Sequence, residues 1–194
     1  MKEWQNITID LQVQFGIGFF ALVELENPKV LRQVNNLVIT NHSVENTCQE
    51  IRSGVRDENQ IKEMVSLLGK ENRWSEVWMI SHALGVEISW IEDAKEDVWV
   101  DIGGPGDVSL EPPIGALLPF RLWVHTHPWD AYWSVTDRRT LAAYCGLIQE
   151  ALVLGHNHSK HTKCLLPFGE KLKEGVSPLS RWTDEPCIPY GVQE

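Results

Sequence analysis

Residues 124–137 read "VHTHPWDAYWSVTD", and the spacing inside them organises the rest of the chain. An apolar run, "LPFRLW", leads into two histidines two positions apart, which predicts a strand ending at the motif. Alternate residues of a strand project from one face, so His125 and His127 converge on a single point. Pro128 removes a ladder donor and turns the chain out of regular pairing. Ser134 and Asp137 then open a helix, with Ser134 at the N-cap and Asp137 three residues on. A carboxylate there is also favoured by the helix dipole.

Two neutral imidazoles and one carboxylate form a three-ligand set that suits Zn2+ and leaves a fourth position for water. Zinc lowers the pKa of that water from 15.7 to about 7. Amide hydrolysis further needs a general base beside the water and a donor for the developing oxyanion. A glutamate from another strand and the Ser134 hydroxyl suit these two tasks. A plain helix cap would place Ser134 and Asp137 in the same pattern without any metal.

Outward from the motif, the periodicity predicts interleaved strands and helices. Residues 7–17 alternate apolar and polar, as a half-wet strand does, and "NLVIT" at 36–40 reads as another strand. Between 44 and 68 apolar residues recur every three to four positions, giving two amphipathic helices with a break near Gly54 to Asp57. "EVWMISHAL", "VEISWI" and "DVWVDI" then read as successive strands. After Ser134, Leu141, Tyr144, Cys145, Ile148, Ala151 and Leu152 form a helical stripe, and "ALVLG" either ends that helix or begins a strand. The domain reading is an N-terminal strand extension over 1–34, a zinc hydrolase domain over 35–168, and a loosely structured, proline-containing extension over 169–194.

The composition is that of a globular protein: 194 residues, 43% hydrophobic, with nine tryptophans that mostly serve core or groove wall. A net charge of −10 argues against a nucleic-acid or anionic-membrane partner, both of which need clustered Lys and Arg. No secretory signal or membrane-length apolar run is visible. Cys48, Cys145, Cys164 and Cys187 are widely spaced without a Cys-x-x-Cys pair, and a reducing, cytoplasmic setting is expected.

"HTHP" followed by "SVTD" resembles the signature of the JAMM (MPN-plus, JAB-domain) zinc metalloproteases, over about residues 121 to 140. The resemblance implies a mixed α/β fold, a curled sheet flanked by helices. It implies His125, His127 and Asp137 as zinc ligands and Ser134 as the oxyanion-stabilising residue. It also implies hydrolysis of a peptide or isopeptide bond in a protein or peptide substrate, commonly next to ubiquitin or a ubiquitin-like protein. The family usually places seven residues between the second histidine and the serine, where this chain has six, "PWDAYW". The helix carrying Ser134 and Asp137 moves as a unit and absorbs the difference. The family's catalytic glutamate opens an apolar run that ends in glycine. Glu76 in "EVWMISHALG" fits best, Glu87 comes second and Glu71 third.

Two other readings follow from the same residues: a non-catalytic MPN-like interaction module, and a zinc hydrolase acting on a non-protein amide. Downstream, "HNHSKHTKC" offers His156, His158, His161 and Cys164, a possible second zinc set. Its spacing does not present all four together, and an exposed polar turn is the preferred reading. Trp129, Tyr132 and Trp133 form either a substrate wall or a loop packed on its own domain.

Overall fold

A computed structural model describes residues 41–108, 110 and 114–191. The strands read at 7–17 and 36–40, and the 1–34 extension, lie outside the described residues. The two amphipathic stretches form helices α1 (Asn41–Arg52) and α2 (Glu58–Lys70), separated at the expected break. Asp57 starts α2 by accepting a hydrogen bond from the Gln60 amide. The apolar stripe of α2 is buried through Ile61, Val65 and Leu68.

The first correction concerns "EVWMISHAL", which forms a third helix, α3 (Trp74–Leu84), and not a strand. Its buried residues are Trp74, Val77, Trp78, Ile80, Ser81 and Leu84, the three-to-four spacing of a helix. A helix apolar over so much of its surface has little polar face, and its sequence then resembles a buried strand. Gly85 stops it at φ 70°, a left-handed conformation that glycine adopts without steric cost.

The remaining chain builds a mixed α/β fold around one six-stranded sheet of order β2-β1-β3-β4-β5-β6. Its strands are β1 (Ile88–Glu92), β2 (Val98–Ile102), β3 (Phe120–Thr126), β4 (Ile148–Leu154), β5 (His158–Lys163) and β6 (Cys187–Pro189). Among the described strands, only β3 and β4 pair in parallel. A parallel pair needs a crossover, and helix α4 (Val135–Ala143) lies between them in sequence. The helical stripe read from 141 to 152 therefore divides: α4 ends at Ala143, and Ile148 begins β4. Ala151, Leu152, Val153 and Leu154 are all buried. A central strand covered on both faces is apolar at successive positions and carries no period-two signal.

The two faces of β3 are distinguished by their partners. Thr126 meets α3, with its Oγ1 2.6 Å from Ser81 Oγ. Trp123 and His125 face α4, where Ile91, Leu110, Phe120, Trp123, Leu141, Ile148 and Ala151 form a buried cluster. Each such large apolar side chain contributes roughly 1.5–3 kcal/mol of burial free energy. Trp133, Tyr144 and Trp182 pack against its margin.

The C-terminal segment is a second correction. A short 3-10 turn (Pro178–Arg181) precedes β6, which pairs with β5 in antiparallel register. The expected loose extension thus supplies the last strand of the sheet. The histidine-rich stretch also belongs to the sheet: His158 and His161 lie on β5, and only His156 falls in the turn before it.

Candidate metal centre

The site forms where β3 stops. Thr126 is the last residue of the strand, and the His127 amide extends the pairing by donating to Leu154 O at 2.8 Å. From the other side of the sheet, Trp78 Nε1 of α3 donates to His127 O at 2.8 Å, fixing the peptide beyond the strand end. The loop 128–133 then returns the chain to α4.

Ser134 and Asp137 make a reciprocal capping box at the start of α4. Ser134 Oγ accepts from the Asp137 amide at 3.1 Å, while Asp137 Oδ2 accepts from the Ser134 amide at 2.7 Å. The cap does not displace the other role; it aims the carboxylate. Asp137 Oδ1 lies 3.1 Å from His125 Nε2, and Oδ2 lies 3.3 Å from His127 Nε2. Potential ligand atoms of all three residues fall within 4.8 Å of one another, and all three residues are buried.

The polar balance of the cluster favours a cation. His125 is 1% exposed, and neither of its ring nitrogens has a hydrogen-bond partner among the described residues. Its approach to Asp137 is close but not aligned as a hydrogen bond. Buried nitrogens are ordinarily paired, since leaving one unpaired costs about 1–3 kcal/mol. A metal ion between Nε2 and the Asp137 carboxylate would give that nitrogen a partner. Two histidines and one carboxylate, with room beside them, make a donor set of the type found in open catalytic metal sites.

Burial lowers the His125 pKa, outweighing the nearby Asp137 carboxylate. That keeps the imidazole neutral, the form that ligates metal. Burial also opposes charge on His127, but Asp137, Glu87 and the Asp130 backbone reverse this and raise its pKa. The Asp137 carboxyl would be raised by burial, yet the two imidazoles and Ser134 hold it far below the usual carboxylate range.

The glutamate assignment changes here. Glu76 sits in the first turn of α3, not on a strand, and both its carboxylate oxygens bind Arg73, one of them at 2.6 Å. It borders a different hollow, with Val44, Glu45, Ser75 and Met79. Glu71 caps the end of α2 and lies 3.1 Å from the same guanidinium. Glu87 instead lines a cleft of about 160 Å³ with Asp107, His127, Tyr132, Ser134 and Asp137. The β1–β3 register pairs Ser89 with His125, and continuing it by two residues sets Glu87 opposite His127. Glu87 is only 7% exposed, and burial pushes its carboxyl up to about 7, against the pull of His127.

The aromatic loop divides in function. Trp133 packs at the core margin with its ring 5.8 Å from His125. Tyr132 is exposed and stands edge-on to His127 at 4.8 Å; Trp129 is exposed as well. No second metal-ligand group forms around His156, His158, His161 and Cys164 among the described residues. His161 bridges Glu150 at 2.8 Å and Glu185 at 3.2 Å, one through each ring nitrogen.

The four cysteines are free thiols. No helix among the described residues is long and apolar enough to cross a membrane. Comparison with protein-family models, curated proteins and solved structures finds no match. What the fold and site define is an α/β protein with a buried His-His-Asp group able to hold a metal ion.

Proposed function

We propose that the protein is a zinc-dependent hydrolase of JAMM type, cleaving a peptide or isopeptide bond in a protein substrate. The observation that carries this reading is the convergence of His125, His127 and Asp137 on one point, with a buried carboxylate, Glu87, across the cleft. Bound zinc supplies a water of lowered pKa and a Lewis acid for the substrate carbonyl. Glu87 accepts the proton released by the attacking water and returns it to the leaving amine. A carboxyl held near 7 suits that exchange at neutral pH. Ser134 Oγ already accepts from the Asp137 amide, which leaves its own hydrogen free to donate to the developing oxyanion. Tyr132 lines the cleft, where an aromatic side chain makes an efficient anchor.

The test combines elemental analysis of the purified chain with hydrolysis of isopeptide-linked ubiquitin-like conjugates and a peptide library. About one zinc per chain, with cleavage abolished by a chelator and restored by zinc, is expected. A chain that binds zinc but leaves every peptide and isopeptide substrate intact would overturn the peptidase assignment. It would favour a non-protein amide or a binding role instead.

A further inference from the structure

We infer that His158 is a positioning residue for the metal centre. It acts through the short loop that joins the two halves of the ligand set. The inference rests on the reading of His125, His127 and Asp137 as metal ligands.

Loop 128–133 leaves one ligand, His127, and delivers another, Asp137, so its shape sets the distance between them. It has only six residues to do so. Its middle is held by the turn between β4 and β5. The His156 amide donates to Trp129 O at 2.6 Å, and the Ala131 amide donates to His158 Nε2 at 3.1 Å. From β6, Cys187 Sγ donates to Ala131 O at 3.3 Å. Both backbone groups of Ala131 are therefore engaged by the far end of the sheet.

The tautomer of His158 follows from its two partners. The Ala131 amide can only donate, so Nε2 must accept. Nδ1 then carries the hydrogen and donates to Asn157 Oδ1 at 2.7 Å. The adjoining turn is built around the same contact. A Cβ on Gly155 would lie 2.5 Å from Ala131 N and 2.8 Å from Trp129 O, both backbone atoms that cannot swing aside. Tyr190 Oη donates to Gly155 O at 2.8 Å and holds the turn from its other side.

The loop passes this constraint to the metal ligand itself. Tyr132, next to Ala131, stands edge-on to the His127 ring with centroids 4.8 Å apart. Groups that orient a ligating histidine commonly change metal affinity by 10- to 100-fold when removed. The chain from His158 through Ala131 and Tyr132 to His127 is such an arrangement, with the loop backbone as its middle link.

The full-length chain is stripped of metal and titrated with zinc against a chromophoric chelator, and separately with Co2+ to record its visible absorption. H158A is expected to weaken zinc binding about 10- to 100-fold and to alter the cobalt bands. The metal-free melting temperature should change little. H158Q, whose side-chain oxygen can accept from the Ala131 amide, is expected to recover most of the affinity and the wild-type spectrum. N157A, which removes only the Nδ1 partner, should shift affinity in the same direction by less. It serves as the test should H158A fail to fold. Wild-type affinity and an unchanged cobalt spectrum in H158A, or in N157A where that variant stands in, would overturn the positioning role. A wild-type chain that binds neither metal would instead overturn the metal centre, and this inference with it.

Discussion

His125 Nε2 and Asp137 Oδ1 face each other at 3.1 Å inside the protein without a hydrogen bond between them. With Nε2 unprotonated, as a metal ligand requires, it and the carboxylate oxygen are two acceptors that repel at this distance unless a cation lies between them. Burial disfavours the imidazolium form of His125, which keeps the ring neutral and able to ligate a cation there. Metal binding should accordingly stabilise the fold. Zinc at 1,000 times its Kd adds about 4 kcal/mol. Calorimetric unfolding of chelator-treated and zinc-reloaded protein is expected to show a rise of several degrees on reloading. The rise should vanish in Asp137→Ala, and its persistence there would remove Asp137 from the ligand set.

Glu87 and Glu76 make opposite demands on the catalytic reading. Glu87 borders the cleft beside His127, whereas Glu76 is held by Arg73 on the first turn of α3. Glu87→Gln keeps size and removes the proton acceptor. It is expected to retain zinc while lowering kcat about 10²- to 10⁴-fold. Glu76→Gln should turn over at close to the wild-type rate. Steady-state kinetics on one cleavable conjugate decides the matter, and the reverse pattern would return the role to Glu76.

The central residue of the His-Thr-His triplet has a structural task. Ile88 N donates to Thr126 Oγ1 at 2.9 Å, Thr126 to Ser81 Oγ at 2.6 Å, and Ser81 to Val86 O at 2.7 Å. This buried chain ties β1, β3 and α3 together behind His125 and His127. Thr126→Val keeps the shape but leaves the Ile88 amide unpaired, a loss of about 1–3 kcal/mol. Urea unfolding should show the lower midpoint, with zinc affinity unchanged within a few-fold. An unaltered midpoint would mean that water or backbone movement replaces the bond.

The His-His-Asp cluster was legible because its signals are local. Spacing along one strand converges His125 and His127, and a capping pattern places Asp137 in a helical turn. Glu87 was harder, since its position depends on β1 pairing with β3 in that register, which no local pattern encodes. The error at 76–84 arose because α3 is apolar around most of its circumference, and so was β4 misread in part as helix. His158 carried no sequence signal for its contact with Ala131. That bond exists only once the β4–β5 turn folds over the loop.

Asp93 gives a pH prediction away from the metal. Its side chain is fully buried in the β1–β2 turn, with Oδ1 accepting from the Lys95 and Asp97 amides at 2.7 and 3.1 Å. Oδ2 accepts from Leu117 N at 2.9 Å, pinning the segment that leads into β3. Burial alone would raise this carboxyl, but the three amides together hold it below its ordinary value of 3.8. The ionised form therefore stabilises the folded chain above that pH, and the contribution is lost as pH falls through the lower folded value. Asp93→Asn offers one acceptor in place of two and turns an NH2 group toward a donor. The variant should lose roughly 1–3 kcal/mol at neutral pH, with the gap to wild type narrowing on acidification below about 3.8. Chemical unfolding across a pH series measures the gap directly. A gap that stays constant into acid would show that shape, not charge, is what Asp93 contributes.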